Sequence, residues 1–211
     1  SRVRRQRQMC IRDRANIAGV SLNGGTLLLD PRNIYVRDSS VGGTTLTSDL
    51  TNVDQYADGS TTSYRVNSSI IESAITSGTN VILKAQRNIY VQSDIIATGS
   101  SGGDLTLNAG VDIDISANIT TANGNLTLEA NNESISGRGN NRYSDIDISS
   151  TINLGTGDLN ITLGNSNTLG SNDINLSLAT INANNITITD SATNTSQPVS
   201  YTHLTLPTNS R

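Results

Sequence analysis

Asp112 and Asp114 alternate with Val111, Ile113 and Ile115, and Asp145 and Asp147 repeat the pattern around Ile146 and Ile148. In an extended strand such alternation puts both carboxylates of a pair on one face and the apolar residues on the other. Two pairs on neighbouring strands would offer oxygens to Ca²⁺, which needs six to eight of them. The Gly-Gly-x-Gly-x-Asp calcium nonapeptide is absent, so the pairs read as solvated outer-face carboxylates. Arg87, Arg138 and Arg142 are the cations that would serve an acid-and-arginine polysaccharide-cleaving site. An arginine beside an aspartate is more often a surface pair of small energetic consequence. General acid-base catalysis most often uses histidine, and the only one, His203, stands near the C-terminus. No catalytic, cofactor or metal site is assigned, and the chain is read as a non-enzyme. Asn118-Ile119-Thr120, Asn125-Leu126-Thr127 and Asn185-Ile186-Thr187 have the N-glycosylation form, but they fall inside strand patterns and read as structural.

The elements that would position these residues come from a repeat. Arg-Asn-Ile-Tyr-Val occurs at 32–36 and again at 87–91, each time after an alternating apolar run. Val81, Leu105 and Leu126 open equivalent runs. A unit of this length buries its apolar face only against its neighbour. The predicted fold is therefore all-β: a β-solenoid with one short helix. Val81, Leu83 and Ala85, then Leu105, Leu107 and Ala109, then Leu126, Leu128 and Ala130 are predicted to point inward and stack in three columns, with the alanines at a narrow corner. Gly, Asn, Asp and Ser punctuate the runs, as left-handed corners require. Stacked Asn side chains are expected to form ladders. Residues 42–67 break the alternation and read as an excursion, with a short strand near 63–66. Residues 69–77 read as the helix, Ser69 acting as N-cap with Glu72 at N3, Ile71, Ala74 and Ile75 on one face, and Gly78 ending it.

Composition agrees with a narrow core. Of 211 residues 34% are hydrophobic and 3% aromatic, with no Phe or Trp. Residues 15–197, the β-helix segment, hold seven Lys and Arg against 17 Asp and Glu, which disfavours nucleic acid as a partner. No apolar run approaches the roughly 20 residues that span a bilayer. Residues 1–14, with six Arg, and 198–211 share nothing with the repeat. Both resemble peptides translated from sequencing-adapter DNA and are expected to be non-native tails that pack poorly. Cys10, Met9 and His203 lie in them, so the body has no Cys, which suits an exported chain.

The phrase from Gly25 through Thr26-Leu27-Leu28-Leu29-Asp30-Pro31-Arg32-Asn33 to Ile34 resembles the Gly-Thr-Leu-Leu-Leu-Asp-Pro-x-Asn-Ile phrase of filamentous haemagglutinin-type exoproteins. The helix-like 69–78, the adjoining Thr79-Asn80-Val81-Ile82-Leu83-Lys84-Ala85 and the Gly-Asn-Leu-Thr-Leu-x-Ala coil at 124–130 are similar to the segments downstream of that phrase in the same family. The resemblance covers about residues 19–190. It implies that the β-solenoid is a right-handed parallel β-helix, secreted by Gram-negative bacteria through an outer-membrane two-partner-secretion transporter, with a place in a long adhesin-like surface filament that meets a host or neighbouring-cell surface. The alternatives are the stalk of a contact-dependent toxin-delivery exoprotein, or a polysaccharide-acting β-helix enzyme. A lyase would show a groove lined by Asp, Arg and Lys; a stalk would show scattered charges. With no cap evident in the sequence, the body is expected to associate end to end.

Overall fold

The computed structural model describes residues 26–29, 31–38, 63–135, 144–164 and 172–191. Both expected tails, most of the 42–67 excursion, Arg138 and Arg142 lie outside them.

The chain winds through three sheets in turn, and every strand pair is parallel. The first sheet stacks β1 (Thr26–Leu29), β4 (Asn80–Ala85), β7 (Leu105–Ala109), β10 (Leu126–Ala130), β13 (Leu159–Leu163) and β16 (Ile186–Asp190). The second runs β3 (Ser63–Val66), β2 (Asn33–Val36), β5 (Ile89–Val91), β8 (Ile113–Ile115), β11 (Ser144–Ile148) and β14 (Asn172–Asn175). The third is β6 (Ile95–Ile96), β9 (Ile119–Thr120), β12 (Thr151–Asn153) and β15 (Thr180–Asn182). This is the predicted parallel β-helix, with one helix among the described residues, and 63–66 is the predicted short strand.

The inward columns come from the alternation. Val81, Leu83, Ala85, Leu105, Leu107, Ala109, Leu126, Leu128 and Ala130 are all fully buried. Each alanine ends its first-sheet strand, where the chain turns towards the second sheet. The second sheet adds Ile34, Ile89, Ile113, Ile146 and Ile174, and the third one isoleucine per coil: Ile95, Ile119, Ile152 and Ile181. Identical shapes stacked one strand spacing apart, about 4.8 Å, fill a narrow interior without large aromatics.

Glycine has two separate roles at the corners. Left-handed backbone is taken by Gly78, Gly99 and Gly155, and also by Ala122, Asn123 and Asn131. Gly103, Gly124 and Gly157, which the pattern attributes to the same need, do something else. A Cβ on Gly124 would overlap the Gly103 carbonyl, and one on Gly157 the Gly124 carbonyl. They form a column where successive backbones touch.

The helix α1 (Ser68–Thr76) buries Ile71, Ala74 and Ile75, as expected, and Gly78 comes after it with φ +78°. Its capping differs from the expected box. Asn67 is the N-cap, without a side-chain capping bond, and Ser69 is exposed. The cap comes from Asp38, 30 residues upstream: Ser68 donates its N–H to Oδ1 (2.9 Å), and its hydroxyl lies 3.0 Å from Oδ2. A carboxylate there meets both the unpaired first-turn N–H groups and the positive end of the helix dipole. Glu72 links the helix start to β6: its Oε1 lies 3.3 Å from the Ser68 hydroxyl and accepts the Ile96 N–H at 3.0 Å. Thr98 N–H goes to Thr76 Oγ1 and Gly103 N–H to the Ile75 carbonyl. α1 thus closes the edge of the third sheet that a further strand would otherwise occupy, a cap the sequence pattern did not reveal.

Candidate functional site on the outward face of the second sheet

The four singled-out aspartates meet on one face because the coils stack in register. Asp114 pairs with Asp147 across β8 and β11, and Asp145 with Asp173 across β11 and β14. One outward column reads Ser63, Asn33, Asn88, Asp112, Asp145, Asp173; the next reads Arg65, Tyr35, Tyr90, Asp114, Asp147, Asn175.

The first column is a ladder of side-chain oxygens accepting backbone N–H groups. Asn88 N–H reaches Asn33 Oδ1 at 3.2 Å, Asp145 N–H reaches Asp112 Oδ1 at 3.2 Å, and Asp173 N–H reaches Asp145 Oδ1 at 3.1 Å. It is interrupted at Asn88, whose amide turns to the Tyr90 hydroxyl at 2.7 Å and leaves its Oδ1 enclosed without a partner. A second ladder, at the entrance to the first sheet, is continuous. Asp104 N–H bonds Asn80 Oδ1, Asn125 N–H bonds Asp104, Asp158 N–H bonds Asn125, and Asn185 N–H bonds Asp158. Its rungs lie 24, 21, 33 and 27 residues apart in sequence. A third begins where Asn118 N–H bonds Asp94 and Thr151 N–H bonds Asn118. The expected asparagine ladders are therefore mostly side chain to backbone, shared between Asn and Asp. Direct amide pairs, such as Asn182 to Asn153 at 2.9 Å, are the lesser part. Asn118 and Asn125, from the glycosylation-like triplets, are such rungs, in keeping with their structural reading.

Stacking carboxylates has an electrostatic cost. Asp112 and Asp114 are half-buried, and desolvation is the largest effect pushing their pKa values up; the neighbouring carboxylates Asp145 and Asp147 push the same way. Arg87 and the Asp145 N–H partly offset this at Asp112. Asp145 and Asp147 are raised by desolvation, then by Asp173 and, for Asp145, by Asp147 as well. Asp158 behaves oppositely: amide donors from Asn184 and Asn185 hold it below the usual carboxylate range.

Tyr35 and Tyr90, one from each copy of the repeated phrase, stack at 4.7 Å between ring centroids and 17° between planes. Burial and Tyr90 push the Tyr35 phenol up. The pair was not singled out in the sequence, although its signal was present: the same phrase repeated 55 residues later implies like over like. Asp173 also went unremarked, and Asp173-Ile174-Asn175 is a third version of the Asp-Ile-Asp pattern.

The arrangement spreads carboxylates along the solenoid axis instead of converging them. Among the described residues no group of three or more His, Cys, Asp or Glu side chains is placed to hold a metal ion, and no helix is long and apolar enough to cross a membrane. No family model, curated protein or solved structure matches the chain.

Proposed function

We propose that this chain is a structural segment of a secreted, surface-exposed adhesin-like filament, exported through an outer-membrane two-partner-secretion transporter. The observation that carries the reading is the unbroken corner ladder from Asn80 to Asn185, which ties each coil to the next by a side chain that serves no other evident chemistry. Such a stack resists bending and presents whole sheet faces to the outside. The resemblance of residues 25–34 to filamentous haemagglutinin-type exoproteins supports the same reading. The test is retention of erythrocytes or epithelial cells on surfaces coated with the purified chain, with small-angle scattering to verify an elongated particle. An elongated particle that retains no cells would favour the stalk of a toxin-delivery exoprotein.

A polysaccharide-acting enzyme is the second reading, favoured by Arg87 acting on Asp112 beside the tyrosine pair. Release of new reducing ends or unsaturated sugars from an acidic polysaccharide, with or without Ca²⁺, would establish it and overturn the structural reading.

A further inference from the structure

Along the corner ladder Asn and Asp serve interchangeably as acceptors, at Asn80, Asp104, Asn125 and Asp158. Asn123, at the same corner, has a different task. Its Oδ1 accepts the Thr156 N–H of the following coil at 3.0 Å, and its Nδ2 donates to the Ser100 carbonyl of the preceding one at 3.1 Å. Only an amide does both, because a carboxylate would turn a second oxygen on the Ser100 carbonyl. The fit is close on the acceptor side, where a Cβ on Gly155 would overlap Asn123 Oδ1.

Gly124 follows Asn123, the one Asn-Gly pair among the described residues. Glycine puts no side chain in the way of its own nitrogen, so this pair is chemically the least protected setting for an asparagine amide. In deamidation the Gly124 nitrogen attacks Asn123 Cγ. The new Cγ–N bond forms, the Cγ–Nδ2 bond breaks, and Nδ2 leaves as ammonia with the proton from Gly124. Water then opens the cyclic imide at either carbonyl, giving aspartate or isoaspartate.

The folded corner opposes each part of this step. The Gly124 N–H is held by the Thr121 carbonyl at 3.2 Å, across a turn in which Ala122 and Asn123 have φ +54° and +75°. The leaving Nδ2 is held by Ser100. Gly124 itself is pressed between coils, against the Gly103 carbonyl on one side and Gly157 on the other. Asn123 remains partly exposed, so water and base reach it once the turn opens.

We propose that Asn123 is a deamidation site held shut by the stacked coils, and that its conversion releases the corner permanently. Either product loses the amide donor to Ser100, and isoaspartate also lengthens the backbone where successive coils touch. A coil that opens long enough to react therefore does not close again in its original form. The site is independent of what the filament adheres to.

The full chain, incubated in mildly alkaline buffer with and without unfolding guanidinium, tests this by peptide mapping of aspartate and isoaspartate at Asn123. The folded chain should react at least about tenfold more slowly than the unfolded one, because only its open fraction reacts. Gly155→Ala, which pushes on Asn123 Oδ1, should raise the folded rate severalfold. Asn123→Asp should lower the urea midpoint by about 0.5 M, although Asp serves as well as Asn on the neighbouring ladder. Equal rates in the folded and unfolded wild-type chain overturn the proposal, and this comparison stands even if Gly155→Ala does not fold. A wild-type urea midpoint for Asn123→Asp overturns it as well, since the amide would then not be needed at the corner.

Discussion

The strands of the second sheet stack the same way on both faces, with opposite energetic results. Inside, Ile89, Ile113, Ile146 and Ile174 lie over one another and each excludes water from the next. Outside, one residue away, Asp112, Asp145 and Asp173 lie over one another, and Asp112 and Asp145 are each made harder to ionise by the carboxylate on the next coil. In-register stacking rewards like neighbours when they are apolar and penalises them when they are charged. The outer column is tolerated because its oxygens hold the N–H groups of the next rung. Asn fills the same role at Asn33 and, on the other ladder, at Asn80 and Asn125. Charge is therefore incidental to the rung, and the oxygen is essential.

The largest effect that would break this comparison is Leu107→Asp, which buries an unpaired carboxylate in the apolar stack. It should abolish cooperative unfolding in urea, whereas Leu107→Ala should cost about 2–5 kcal/mol. A mild loss for the charged variant would mean that the interior is wet. Gly124→Ala comes next. Its methyl would collide with the Gly103 carbonyl, so the corner must open at about 1–3 kcal/mol in denaturant melts. Asp145→Ala removes the acceptor for the Asp173 N–H and should cost about 1 kcal/mol, reduced by the repulsion it relieves. Asp112→Asn keeps the oxygen and loses only the charge, so it should lie within about 0.5 kcal/mol of neutral, on the stabilising side at pH 7. Equal losses for Asp145→Ala and Asp112→Asn would show that charge, not the acceptor, matters.

The smallest effect is in pH. Asp112, Asp114, Asp145 and Asp147 have folded pKa values raised above the ordinary 3.8, so the folded chain binds protons more tightly than the unfolded chain. Their penalty is full at neutral pH, falls away as pH drops through the raised values, and is gone below 3.8. Asp158, with its lowered pKa, contributes stability above 3.8 that is lost only as pH falls further, through its folded value. Melting temperature should rise on acidification towards that point and then decline. Replacing the four raised aspartates with Asn should flatten the rise. A monotonic fall from neutral pH would refute the assigned repulsion.

Much of this was legible in the chain because strand alternation has a period of two and needs no knowledge of the partner. The inward residues 81, 83 and 85 and their successors, the helix face of Ile71, Ala74 and Ile75, and the stop at Gly78 all come from local pattern. The repeated Arg-Asn-Ile-Tyr-Val determined the pairing of Ile34 with Ile89 and Val36 with Val91, because an identical phrase stacks on itself without loss. The remaining features depend on which residue lies one coil away. The first two steps between rungs, 24 and 21 residues, follow from the equivalent runs that open at Val81, Leu105 and Leu126, but the later steps of 33 and 27 do not reveal their partners in advance. Asp38 caps α1 from 30 residues upstream, Glu72 reaches from Ser68 to the edge of β6, and Gly103, Gly124 and Gly157 are required by carbonyls in other coils. Local pattern decided which way each side chain faces; only the stacked structure decided what it meets there, since in a solenoid the nearest neighbour in space is a whole coil away in sequence.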